Sequence, residues 1–344
     1  MASDQERQNS LVITSCFFTA LSTVVVIART FVRTVLIRKP GLDDYFIILA
    51  LVFTLGYLAE VFVGKANNIG FASSQLSFDN MTNLLKTTLA IEATYYVCIS
   101  AIKISILCMY LRFAVSRSFN ILCICTIAFH ALFFVICIGV TLSQCQPLSK
   151  QWDLTGTVDG ICINTTAFFY FTSGFNILTD IWILILPIKT LSGILRPRRE
   201  KIALAIIFGV GAFATITSII RLHTIYTYTL AKDLFQESIL VNVWSMLEIN
   251  IGIICASVPA LKPLFTPRAL RDAVNRNKKP GYQYHSQDRS GYNSNKSNNS
   301  KSGDREDQRA YDLERIGGEH TTKTVIQSTP HSPGSESEES IWRG

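Results

Sequence analysis

The sequence predicts an all-α membrane protein. It is a bundle of seven transmembrane helices with the N-terminus outside, the C-terminus cytoplasmic and a disordered cytoplasmic tail. Three observations predict this. The chain of 344 residues is 49% hydrophobic but only 17% charged, and the charge lies outside stretches of about 20 apolar residues, the length that crosses a bilayer core. Lys and Arg crowd one set of the connections between those stretches. The last part of the chain has too little apolar content to fold.

The apolar runs fall at 11–34, 44–63, 86–111, 119–142, 166–190, 202–228 and 239–261. Each is long enough to cross about 30 Å of hydrocarbon at 1.5 Å per residue. The run after the first ten residues is too long for a signal-peptide core and lacks a small-residue cleavage pattern, so it is expected to stay as the first helix. The first ten residues are read as a short extracellular N-terminus.

Counting Lys and Arg near the helix ends sets the direction. One set of connections holds sixteen: Arg33, Arg38 and Lys39; Arg112 and Arg117; Lys189, Arg196, Arg198, Arg199 and Lys201; and six between Lys262 and Lys279. The other set holds five: Arg7, Lys65, Lys86, Lys150 and Lys232. The positive-inside rule makes the first set cytoplasmic. The Asn-x-Thr acceptors at Asn80 and Asn164 both fall in loops that this places outside, so both are expected to carry glycans. The net charge of +7 belongs to the inner side of a membrane, and no nucleic-acid partner is expected.

Residues 266–280 pattern as an amphipathic juxtamembrane helix lying on the anionic inner leaflet. Residues 281–344, rich in Ser, Asn, Gly and charge, read as the disordered tail. At the start of the second helix, Pro40 and Gly41 break the first, Asp43 is expected to cap free amides and Asp44 to favour the positive dipole end. Arg29 and Arg33, one turn apart, are the available counter-charges, either as inner-interface anchors or in a signalling role.

Ionisable residues inside the apolar runs cost a few kcal/mol or more unless paired. The candidates near mid-bilayer are Glu92 and Lys103 in the third run, Asp180 in the fifth, Arg221 in the sixth and Glu248 in the seventh. Counted from the outer ends of the runs, Glu92, Arg221 and Glu248 lie roughly 9–13 Å deep, and Asp180 and Lys103 roughly 21–25 Å. Two layers are expected: Arg221 with Glu248 or Glu92 in the outer half, and Lys103 with Asp180 in the inner half. The layers either fix helix register or line a pocket above a switch that breaks on activation. His130 and His223, the only histidines in the spans, read as packed or hydrogen-bonded residues, so neither a metal site nor an enzyme is expected.

Seven of the nine cysteines lie in apolar runs, where they act as small hydrophobes. Cys145 and Cys162 lie in a polar loop assigned to the outside, so a disulfide between them, closing a loop of about 18 residues and worth about 3 kcal/mol, is expected. The rival is a bridge from one of them to Cys98. Trp152 is expected to pack on the bridge, with the loop forming a stiff lid.

Six fragments in order carry a family resemblance: RTFVR at 29–33 with LDDY at 42–45, KISILCMYLR at 103–112, and CQPLSKQW with GIC within 145–162. The others are FNILTDIWILILPI at 175–188, GVGAFATITSIIRL at 209–222 and WSMLEINIGIICASVPALKPLF at 244–265. Together they resemble the fungal rhodopsin-domain family of seven-helix, receptor-like membrane proteins, which includes proteins implicated in surface sensing by plant pathogens. The resemblance implies a plasma-membrane sensor for an unknown extracellular ligand. A heterotrimeric G protein or another cytosolic effector would receive the signal from the basic loops and tail. No cofactor is expected: a retinal Schiff base needs a lysine in the pocket, and 239–261 contains none. The alternative is a transporter or channel for a small solute, with the intramembrane charges lining its path.

Overall fold

The computed structural model describes residues 2–113, 116–191 and 198–261. Side chains at 188–208 and 210, the segment 266–280 and the tail 281–344 lie outside the described residues, and with them most of the basic residues of the last two cytoplasmic-side connections. Seven long α-helices occur among the described residues: α1 (Ala2–Phe31), α2 (Leu42–Ala66), α3 (Phe78–Phe113), α4 (Arg117–Leu142), α5 (Thr165–Leu191), α6 (Arg198–Leu230) and α7 (Leu234–Leu261). Among the described residues six of them, α1 to α5 and α7, are long and apolar enough to cross a membrane.

Helices α3 and α7 form the centre. In their most apolar stretches 56% and 61% of residues are buried, against 17% in α4. Helices α1, α2, α3 and α6 all pack on α7. The outward faces carry large apolar side chains such as Ile13, Phe17 and Val24 on α1 and Leu132 and Val135 on α4. A soluble protein would not leave so many uncovered; lipid is the solvent these faces fit.

Several helices run past their apolar limits. Helix α1 begins at Ala2, not near residue 11, so the expected N-terminal segment is helical and continuous with the first span. Its polar first turns find partners: Gln8 Nε2 donates to Ile69 O at 3.2 Å, Arg7 pairs with Glu237 at 3.2 Å, and Asp4 accepts from Gln236. Tertiary hydrogen bonds therefore extend a helix that hydropathy alone would end. Helix α1 closes through a π turn at Val32–Leu36.

Beyond α2 the chain turns at Gly70, whose φ of +88° puts it in the left-handed region; a Cβ there would overlap the Ile239 side chain on α7. Ser73 then donates both its backbone N–H, at 2.6 Å, and its hydroxyl, at 2.9 Å, to Asp233 Oδ2. Asp233 Oδ1 also accepts the Phe235 N–H at 3.2 Å, capping α7. One carboxylate thus joins two loops at the same end of the bundle.

Candidate functional site: a charge network through the helix core

Lys103 Nζ on α3 lies 2.8 Å from Asp180 Oδ1 on α5 and also donates to Thr179 Oγ1 at 2.6 Å and Asn176 O at 2.9 Å. All three ammonium protons are used, which makes burial of the charge tolerable. Arg221 Nε on α6 approaches Glu248 Oε2 on α7 at 2.7 Å, off the N–H axis, so this is an ionic contact more than an aligned hydrogen bond. The guanidinium also donates from Nη2 to Ser173 Oγ at 3.2 Å and stacks 4.4 Å from the Tyr95 ring centre. Glu248 accepts from Tyr95 OH at 2.9 Å and from Asn176 Nδ2 at 2.7 Å.

Both expected pairs therefore form, but not as two layers. Ser218 Oγ on α6 lies 3.0 Å from Asp180 Oδ2 and 2.5 Å from Glu248 Oε1, joining them in one network. Apolar runs misplace the depths because α7 starts at Leu234, five residues before the run. Counted from the observed helix starts, Glu248 and Asp180 both lie about 21–23 Å along their helices. Glu92 takes no part: it accepts from Thr141 Oγ1 at 3.2 Å and Gln144 Nε2 at 2.7 Å at the far end of α4.

A cavity of about 70 Å³ adjoins the network between α3, α5, α6 and α7. Lys103, Asp180, Ser218 and Glu248 line its polar end, and Ile102 and Met109 are among its apolar walls. Gly211 allows α6 to approach α5 here, since a Cβ would strike Leu184.

A second cluster closes the opposite end. Arg29, with no exposure, pairs with Asp43 at 2.6 Å and Asp44 at 2.9 Å, and donates to Ala256 O on α7. Arg33 reaches Asp43 at 3.2 Å, Arg112 of α3 lies 3.6 Å from Asp43, and Ser105 donates to Asp43 O at 2.7 Å. Arg29, Arg33, Asp43, Asp44 and Ser105 are buried and not headgroup anchors, Arg112 joins them from an exposed position, and the cluster ties α1, α2, α3 and α7 together. Nor does Asp43 cap α2. The arginines hold its carboxylate, and Asp44 accepts the Gly41 N–H at 3.0 Å instead.

At the other end, β1 (Cys145–Gln146) and β2 (Ile161–Cys162) pair antiparallel with Cys145 opposite Cys162, and the two are joined by a disulfide. Cys98, the rival partner, is a buried free thiol beside Thr54. A 3₁₀ turn at Leu148–Trp152 completes the loop, with Lys86 of α3 over the Trp152 ring at 5.6 Å. Gln151 donates to Gln144 Oε1 at 3.0 Å, and Gln144 donates to Glu92, so the disulfide loop is wired to α3. Within the loop Asp153 is held below the usual carboxylate range by the Thr155 hydroxyl and the Val158 N–H. Asn80 is half-buried in the first turn of α3, while Asn164 is exposed and its Oδ1 caps α5 at the Ala167 N–H, 3.0 Å away.

Sequence reasoning missed Ser218, Tyr95, Asn176 and Glu60. A serine or asparagine in an apolar run carries no signal of its own, and Tyr95 reads there as part of an aromatic belt. Glu60 was visible as an acid six residues from the end of α2; it accepts from Thr94 Oγ1 at 2.9 Å.

Long apolar helices around a buried, fully paired charge network define a multi-pass helical membrane protein whose core is polar by construction. Residues 28–267 match the fungal rhodopsin domain, and the chain belongs to that family. Among its relatives are a SAT4 family membrane protein of Emericella nidulans, 27% identical over 272 residues, 76% of this chain and 65% of that protein. The polyenoic acids biosynthesis gene cluster protein Ba17b of Metarhizium anisopliae is 24% identical over 72% of this chain and 71% of its own. Receptor GIN3 of Arthrobotrys oligospora is 25% identical over 74% of this chain and 62% of its own. The chain thus covers just under two thirds of the first and third of these relatives.

Proposed function

We propose that the chain is a receptor-like sensor: a seven-helix bundle, with α6 as the remaining span, that binds an extracellular ligand near the disulfide loop and signals inward. The observation that carries this reading is Ser218. It couples the α3–α5 ion pair to the α6–α7 pair, so displacing one helix disturbs contacts on all four. Such coupled buried pairs suit a two-state element, because breaking one partner strands a charge. The Gln151–Gln144–Glu92 chain supplies a route from the loop to α3. A relative named as a receptor is consistent with it.

In this reading the N-terminus and disulfide loop face outside, glycans sit on Asn80 and Asn164, and the basic connections and tail face the cytosol. The protein is non-catalytic, resides in the plasma membrane, and takes no retinal. Its effector is a heterotrimeric G protein or another cytosolic partner. Proximity labelling from the C-terminal tail in cells tests the effector: capture of a G-protein subunit supports signalling, and capture of trafficking factors alone counts against it.

One observation favours a second reading. The polar-ended cavity among α3, α5, α6 and α7 is where a transporter would hold a solute. Solute flux into proteoliposomes that collapses in Asp180→Asn would favour this reading over the first.

A further inference from the structure

His130 lies at mid-span of α4 and is only 4% exposed, yet neither Nδ1 nor Nε2 has a hydrogen-bond partner among the described residues. A neutral imidazole carries one donor and one acceptor. Leaving both unmet inside a bilayer costs free energy comparable to two lost hydrogen bonds. One ring neighbour is Phe175, edge-on at 6.2 Å between centroids, which offers neither group a partner in the ring plane.

The same imidazole lines a cavity of about 20 Å³ between α3, α4 and α5. Its other walls include Tyr95, Tyr96 and Phe133, and Ser100, Thr172 and Asn176 bring polar groups to it. A water needs about 10–15 Å³ of such space and two to four polar partners. The cavity is large enough for one water and too small for a drug-sized ligand; its walls are mostly apolar, and the imidazole of His130 with the polar groups of Ser100, Thr172 and Asn176 are the partners it offers.

We propose that this cavity is a binding site for one buried water molecule, held by His130 of α4 and shared with the polar groups of α3 and α5. The site makes α4 part of the charge network. Asn176 donates to Glu248, and its carbonyl accepts from Lys103, so a water between His130 and Asn176 joins α4 to both ion pairs at mid-span. Among the described residues the other side-chain hydrogen bonds of α4 to neighbouring helices lie elsewhere, from Thr141 to Glu92 at its far end and from Trp182 Nε1 to Thr126 Oγ1 on an exposed face; at mid-span α4 meets α5 through apolar ring contacts such as Phe133 on Phe175. The inference stands whether the protein is a receptor or a transporter.

Full-length protein in lipid nanodiscs, labelled with ¹⁵N only in histidine, tests it by solid-state NMR with magnetisation started on water protons. The expected result is water-to-imidazole transfer to a signal that vanishes in His130→Leu. Should the His130 variant not accumulate, Ser100→Ala keeps the imidazole in place and is expected to weaken the same transfer by removing one wall of the site. An imidazole packed dry against Phe175 gives no transfer, and that result overturns the proposal.

Discussion

Arg29 on α1 and Asp43 on α2 close a 2.6 Å ion pair in which the arginine has no solvent exposure at all. Asp44 and the Ala256 carbonyl hold the rest of the guanidinium. Removing one partner of such a pair strands the other in a medium that cannot solvate it. Asp43→Asn is therefore expected to destabilise the bundle by about 3–5 kcal/mol, whereas Arg38→Ala, at an exposed position, changes little. Thermal melting of detergent-solubilised protein, followed by the burial of Cys98 and Cys255 from a thiol dye, reads this directly. Equal melting temperatures for Asp43→Asn and wild type would remove the cluster from any account of stability.

Ser218 gives a coupling prediction. Its hydroxyl lies within hydrogen-bond distance of both Asp180 and Glu248 and can donate its one proton to either, and residues sharing one network are coupled by about 0.5–3 kcal/mol in double-mutant cycles. Lys103→Met and Arg221→Met are expected to be non-additive in the wild-type background and close to additive in Ser218→Ala. If the cycle gives the same coupling with and without the hydroxyl, Ser218 is not what couples the two ion pairs, and Asn176, which meets both Lys103 and Glu248, is the remaining link.

The disulfide loop carries a prediction about both chemistry and wiring. Non-reduced peptide mapping is expected to recover Cys145 and Cys162 in one linked peptide. Cys145→Ser with Cys162→Ser is expected to cost about 3 kcal/mol, the chain-entropy value for a loop of this length. The double variant should also raise solvent exchange at Gln144 and Glu92, which the loop contacts through Gln151. Unchanged exchange there would leave the loop a local staple with no link to α3.

The Asp233 clamp has a definite pH sense. Partial burial alone would raise the Asp233 pKa, but the backbone N–H and hydroxyl of Ser73, with the N–H groups at the start of α7, outweigh it and hold the carboxyl below its usual range. A folded-state pKa below the unfolded one stabilises fully above the ordinary aspartate value of about 3.9 and is lost as pH falls through the lowered value. The loop between α2 and α3 should thus be insensitive to pH across the neutral range and become cleavable by pepsin only in strong acid. Asp233→Asn should open the same loop to proteolysis at neutral pH; a loop still protected in that variant would place the clamp elsewhere.

Much of this was legible in the chain because a bilayer makes strong demands on sequence. Six of the apolar runs became helices long and apolar enough to span, the family resemblance held over 28–267, and Cys145 with Cys162 was the pair in the polar loop. Lys103 with Asp180, and Arg221 with either Glu248 or Glu92, followed from the cost of an unpaired charge in hydrocarbon; the structure chose Glu248. What the sequence left undecided was everything set by where helices start and which faces meet. Hydropathy cannot see that Gln8, Arg7 and Asp4 find partners that carry α1 back to Ala2. It cannot see that α7 begins at Leu234, which brings Glu248 level with Asp180 and lets one serine join them. Arg29 and Arg33 were legible as counter-charges to Asp43 and Asp44, and they pair with them; only packing against Ser105 and Ala256 showed that the cluster is buried. A run of residues fixes how far it reaches into a membrane, but the neighbour that meets each polar atom is chosen by tertiary contact, and in this core those neighbours are the site.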